Sequence, residues 1–203
     1  MKKTILAIAF GLMSMSVFAQ SEKAEQMLSE IKGKYSVDDN GNVTYVKVVT
    51  DSTLSKDEIY QRALNYFVYN YGSGKSVIQT QDKEAGTIVA KGIYAKVHIG
   101  TGMLTNVYDA NHIIRIDVKE GKVRIIVSLT EYEIKLTGGN GPPSYYSTII
   151  SQTYPINEEG NQKTMMSKAF YKTHLKALES IDRIEKAIKE GNTSKKIELS
   201  ENF

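Results

Sequence analysis

Four groups of residues in this 203-residue chain have types and spacings that could support chemistry. The first is Gly74-Lys75-Ser76, inside the stretch YNYGSGKSVIQ, which matches the end of a phosphate-binding loop. The full motif is G-x-x-x-x-G-K-[ST], preceded by a strand and followed by a helix whose N-terminus faces the phosphates. Here Tyr69 stands where the first glycine belongs, a helical pattern precedes the triplet and a β-rich run follows it. The triplet is therefore expected to be a helix-to-strand connection.

The second group is His98, Asp109 and His112. A hairpin centred near Thr105 would set the two imidazoles opposite each other with the carboxylate close by, which is half of a zinc site. Strand alternation opposes this, because His112 shares a face with Ile114, Ile116 and Val118, whereas His98 shares one with Tyr94 and Lys96. The rings are expected on opposite faces, and neither a metal nor a cofactor is assigned. His174 falls on the apolar line of a helix and is expected to be packed and hydrogen-bonded.

The third group is the carboxylate pair Glu131 and Glu133, on one face of a strand whose other face carries Tyr132 and Ile134. A solvated outer face is the simpler expectation. With no G-x-S-x-G elbow and no cysteine, no nucleophile is legible, and no catalytic residue is assigned. The fourth group is Tyr145, Tyr146 and Tyr154, which flank Pro142 and Pro143 in GGNGPPSYYSTIISQTYP. Tyrosines in loops stack on sugars or anchor peptides, because they bring large area at low entropic cost. These three are the candidate ligand-binding residues. The competing expectation is that they fold back to cap the sheet.

The elements that must position these groups follow from periodicity. Residues 1–19 have two lysines, an apolar run and a small-residue exit at Val17 and Ala19, the plan of a signal peptide cleaved before Gln20. Export to the periplasm, cell surface or exterior is expected, with no membrane-spanning segment left after cleavage. Loss of Lys2 and Lys3 leaves 24 basic residues against 23 acidic, a net charge of +1. That is too weak a field to favour nucleic acid, so no nucleic-acid partner is expected. Without cysteine the chain has no disulfides and must be held by its core.

Residues 20–42 read as a short polar segment followed by the start of a hairpin. A helix over 54–72 is marked by the Ser55/Glu58 capping box, a Leu54–Ile59 staple and a stripe of Ile59, Ala63, Phe67 and Tyr71, with Gly72 as the left-handed C′ residue. Strands follow from Ser76 to Leu136, with Gly92 marking a bulge and KEGK a tight hairpin. Val123, Ile125, Val127 and Leu129 occupy one parity, and Tyr132, Ile134 and Leu136 the other. An irregularity near Thr130 and Glu131 would keep both sets on the core. The segment 138–154 reads as a loop, and a long helix from Thr164 to Glu190 ends at Gly191, leaving 191–203 as a polar tail expected to be disordered. The class is α+β, an antiparallel sheet with helices on one face and a long C-terminal helix.

The segments LSKDEIYQRALNYF, VIQTQDKEAGTIVAKG and IRIDVKEGKVRIIVSLTEYEI resemble a family of exported bacterial proteins of unknown function whose domain has a TBP-like (TATA-binding-protein-like) fold. The resemblance covers Val43 to Leu136 and extends the domain to 43–190. It implies architecture only, because the family offers no catalytic residues to carry over, and this chain lacks the tryptophan common on the first helix. The functional expectation is a non-catalytic binding or adaptor domain of the cell envelope for a protein, peptide or glycan. The alternative is an envelope hydrolase with an unrecognised carboxylate site.

Overall fold

The computed structural model describes residues 21–71, 74–138 and 141–191, so the expected signal peptide, Gly72 and the polar tail beyond Gly191 lie outside the described residues. In chain order come α1 (21–31), β1 (Ser36–Val37), β2 (Val43–Thr50), α2 (Lys56–Asn70), a single helical turn α3 (Gly74–Val77), β3 (Ile78–Asp82), β4 (Thr87–Gly100), β5 (Thr105–Lys119), β6 (Lys122–Thr137), β7 (Ser144–Ile149) and α4 (Lys163–Glu190). All strand pairs are antiparallel, in the order β1-β2-β6-β5-β4-β3. The fold is α+β with the long C-terminal helix expected from the sequence.

Helix α2 begins where Ser55 Oγ accepts the Glu58 amide at 3.3 Å. The reciprocal half of the box is absent, because the Glu58 carboxylate turns to Arg62 instead. Its buried side chains are Ile59, Tyr60, Ala63, Tyr66 and Phe67, a wider stripe than the one expected. Helix α4 buries Phe170, His174, Ala177, Ile181, Ile184 and Ile188 at alternating three- and four-residue spacing. It ends at Gly191, whose φ of 83° is one a side chain would resist. Both helices contact the sheet and each other, covering the face that presents Tyr108, Ala110, His112, Ile114 and Ile116.

Strand β6 carries the irregularity that its parity change demands. Ala110 pairs with Tyr132 but His112 pairs with Leu129, so Thr130 and Glu131 together oppose Asn111. The bulge keeps Val123, Ile125, Val127, Leu129, Tyr132 and Ile134 all buried. A second bulge lies in β4, between Tyr94 and His98, and not at Gly92. Gly92 pairs regularly with His112, and its lack of a side chain has another cause: a Cβ there would stand 2.9 Å from the His112 ring and 3.0 Å from Tyr71. Lys96, with φ of 52°, is the strained residue of the actual bulge, and Asp109 accepts its backbone amide at 2.5 Å.

The expected loop over 138–154 is instead strand β7 followed by a 3-10 turn, Ile150–Gln152. The reason is an edge left open by strand length. β2 ends at the Val43–Leu129 pair while β6 runs on to Thr137, and β7 lines up with β2 to fill the vacancy from Glu131 to Leu136. No helix among the described residues is long and apolar enough to cross a membrane.

Candidate functional site

The sheet face opposite the helices is where chemistry-bearing side chains gather. Alternation places Asp109, Glu131, Glu133 and Lys135 on that face, and the β6–β7 register adds Tyr145 beside Lys135, Ser147 beside Glu133 and Ile149 beside Glu131. Beneath the β6 bulge, the buried Asn111 amide donates to Glu131 at 3.2 Å and Glu133 at 2.8 Å. Thr130 Oγ donates to the Asn111 carbonyl at 3.3 Å, which ties the bulge down. The result is an open groove of about 440 Å³ whose walls include Lys96, Asp109, Glu131, Glu133, Tyr145 and Tyr146.

One of the three sequence-nominated tyrosines, Tyr145, stands on this face, whereas Tyr146 borders the groove but pairs with Ile134 and so turns to the other side of the sheet. Tyr145 is 71% exposed and Tyr146 44%, so neither ring folds back as a cap. The Lys135 ammonium stands 5.8 Å above the Tyr145 ring. Tyr154 is elsewhere: it is half-buried against the core, with the Lys163 ammonium 5.1 Å from its ring centre. The three tyrosines therefore do not form one site.

Toward the other end of the same face, Asp117 receives Arg115 at 2.8 Å and Arg124 at 2.6 Å. Burial alone would raise the Asp117 carboxyl, but the two guanidinium groups carry it below its usual range. Exposed apolar side chains are spread along this face: Val46 and Val48 on β2 toward the Asp117 end, Ile93 on β4 near the middle, and Ile99 on β4 and Ile149 on β7 toward the carboxylate end.

The histidines belong to the covered face. His98 pairs with Tyr108, not with His112; the β4 bulge adds two residues and so keeps His98 on the face of Tyr94, but that is the helix side, so both imidazoles are buried there and not on opposite faces as expected. His112 stacks on Tyr94 at 3.8 Å between ring centres. Burial pushes both rings down to about 4, helped at His98 by Lys172 and Lys168. Asp109 lies on the opposite face, and among the described residues no three His, Asp or Glu side chains are grouped to hold a metal. His174 is buried and within hydrogen-bond distance of Tyr45 Oη, at 3.1 Å. The Gly74-Lys75-Ser76 triplet sits in the α3 turn, preceded by α2 and followed by β3, an order opposite to that of a phosphate-binding loop.

Sequence reasoning missed Asn111, Lys96 and the Arg115–Asp117–Arg124 network. Asn111 had a signal: it is the residue facing the parity change at 130–131.

Comparison with known proteins agrees with this architecture. Residues 45–133, from β2 into β6, match the model of a domain of unknown function, DUF4468, with TBP-like fold. Two solved structures share the fold. A DUF4468 family protein from Bacteroides ovatus superposes with a TM-score of 0.51 at 16% identity, covering 77% of this chain and 91% of its own. A TBP-like protein from Parabacteroides distasonis gives 0.55 at 17% identity, covering 76% and 97%. No curated protein matches the sequence.

Proposed function

We propose that this is an exported, non-catalytic adaptor domain of the cell envelope that recognises a protein partner through the open face of its sheet. The observation that carries the reading is the groove between β5, β6 and β7. It sets the exposed Tyr145 beside a floor of fixed carboxylates, with Tyr146 at its edge and apolar side chains alongside. Exposed aromatic anchors beside a partly apolar face are what protein recognition uses. Glycan and free-peptide ligands fit the tyrosines alone, whereas the breadth of the apolar and charged face favours a folded partner.

A hydrolase reading is less well supported. Acid–base hydrolysis relies on two carboxyl groups whose different environments set one as acid and the other as base or nucleophile. Here Glu131 and Glu133 share one amide donor in a groove open to solvent.

Export rests on residues 1–19, and intact-mass measurement of protein recovered from the envelope should show a chain that begins at Gln20. The recognition surface is tested by changing Tyr145 and Tyr146 together to alanine. Because both rings are exposed, thermal stability should hold while capture of envelope protein by the immobilised domain is lost. Capture that survives the double change would overturn the reading, and so would a loss of several kcal/mol of stability, which would make the rings part of the core.

A further inference from the structure

The open face has a charge pattern that fits itself. Around Ile113, the mid-point of β5, the two ends of the sheet differ in sign. Four residues toward one end lies Asp117 with Arg115 and Arg124, two cations around one carboxylate. Four residues toward the other lies Asp109, paired with Glu133 and next to Glu131, three carboxylates with Lys96 and Lys135 at the margin. The apolar residues are arranged in the same way. Val46 pairs with Ile126 on the near side of the β6 midpoint, and Ile149 pairs with Glu131 on the far side, because β2 and β7 run in line along one edge of β6.

We propose that this face binds a second copy of the same chain, related by a two-fold axis that lies between the sheets and crosses the strands at Ile113. The proposal rests on the reading of this face as a docking surface and names its partner. A two-fold contact uses one patch twice, so the patch must complement its own rotated image. Rotation about that axis lays Arg124 of one protomer over Glu133 of the other, and Val46 over Ile149, at both symmetry-related places; it also lays Asp117 over Asp109, where Arg115 and Arg124 already offset the Asp117 charge. Lys91, opposite Ile113 in register, falls near the axis at the β4 side, where its long stem lets the ammonium reach solvent.

The area is sufficient. Four strand positions at ~4.8 Å and about 13 residues at ~3.3 Å give about 800 Å² per copy. That equals what a standard stable interface buries on each partner, roughly 800 Å². Stacking of this kind is the aligned sheet-on-sheet packing that covers open faces in sandwiches.

The test is sedimentation of the chain as recovered from cells. The wild-type protein should sediment as a dimer. Arg124→Glu and Glu133→Arg should each sediment as monomers, since each sets two like-charged pairs in the contact and weakens it about 100-fold or more. Mixed in equal amounts, the two monomeric variants should form a one-to-one dimer, because the mixture contains one native and one reversed pair. A wild-type monomer at 100-micromolar order would overturn the proposal, and so would variants that stay dimeric or do not recombine.

Should either charge variant fail to fold, the absence of cysteine offers a second route. Val46 is 57% exposed and Ile149 45%, so Val46→Cys and Ile149→Cys should both fold. Mixed and oxidised, they should give a disulfide-linked heterodimer more readily than either gives a homodimer. Equal linkage in all three samples would reject the arrangement. A monomeric wild type that still loses envelope capture through Tyr145 and Tyr146 would sink self-association while leaving the adaptor reading intact.

Discussion

His112 gives the most quantitative prediction. Its ring is buried between Tyr94, stacked at 3.8 Å, and Tyr71, whose hydroxyl lies 3.4 Å from Nε2. Both neighbours are phenols that burial keeps neutral, so neither compensates an imidazolium. Burial holds the ring at about 4 against an ordinary 6.5, with only a weak opposing pull from the Ala110 backbone. The unfolded chain thus takes up a proton near 6.5 that the folded chain refuses until about 4. The stability associated with this group is full above 6.5 and is lost as pH falls through 4. At ~1.4 kcal/mol per pH unit, the gap is worth about 3 kcal/mol. His98 and His174 are shifted in the same direction, so the wild type alone does not isolate His112. A His112→Gln variant does. It carries a constant penalty for lost stacking, but its urea-unfolding free energy should decline less steeply, by about 2 to 3 kcal/mol in total between pH 7.5 and 4.5. Parallel curves for the two proteins would refute the assignment of a buried neutral imidazole.

Two predictions test the scaffold. Phe67→Ala should cost about 3 to 5 kcal/mol, because its ring is fully buried, and Ser55→Ala about 1 kcal/mol through loss of the helix cap; similar small effects in urea melts would mean that α2 presents a different face to the core. Deleting Thr130 should be tolerated with a cooperative thermal transition, because it leaves Leu129 and Tyr132 two residues apart and lets a regular ladder keep both, and Ile134, on the core face; loss of the transition would contradict the bulge's role as the correction of the parity change.

The parts of the fold that sequence revealed are those with strong local causes. The capping serine and apolar period located α2, the KEGK turn located the β5–β6 hairpin, and the mismatch between Leu129 and Tyr132 parity located a bulge before any pairing was known. The parts it concealed depend on partners distant in the chain. The bulge at Lys96 has no mark in its own segment, because the Asp109 carboxylate that satisfies it is on the next strand. Gly92 drew attention as a bulge, yet its smallness serves the His112 and Tyr71 rings. β7 was hidden because its neighbours, Gly138, Pro142 and Pro143, read as loop, while the edge that orders it is created by β2 stopping short of the end of β6. The site divides in the same way. Tyr145 and Tyr146 were legible as exposed aromatics, but the meeting of Tyr145 with Glu131, Glu133 and Asp109 required the register, which turns Tyr146 to the other face and leaves Tyr154 outside.

The central claim is that the open sheet face, and not the helical face, meets the protein's partner. Its most direct test places a photo-activated cross-linking residue at Tyr145 and, in a second strain, at Leu175, which is exposed on α4 on the other side of the sheet. Irradiation of intact cells should give discrete protein adducts from position 145 and none from position 175. Equal labelling at the two positions, or adducts from 175 alone, would contradict recognition through the sheet.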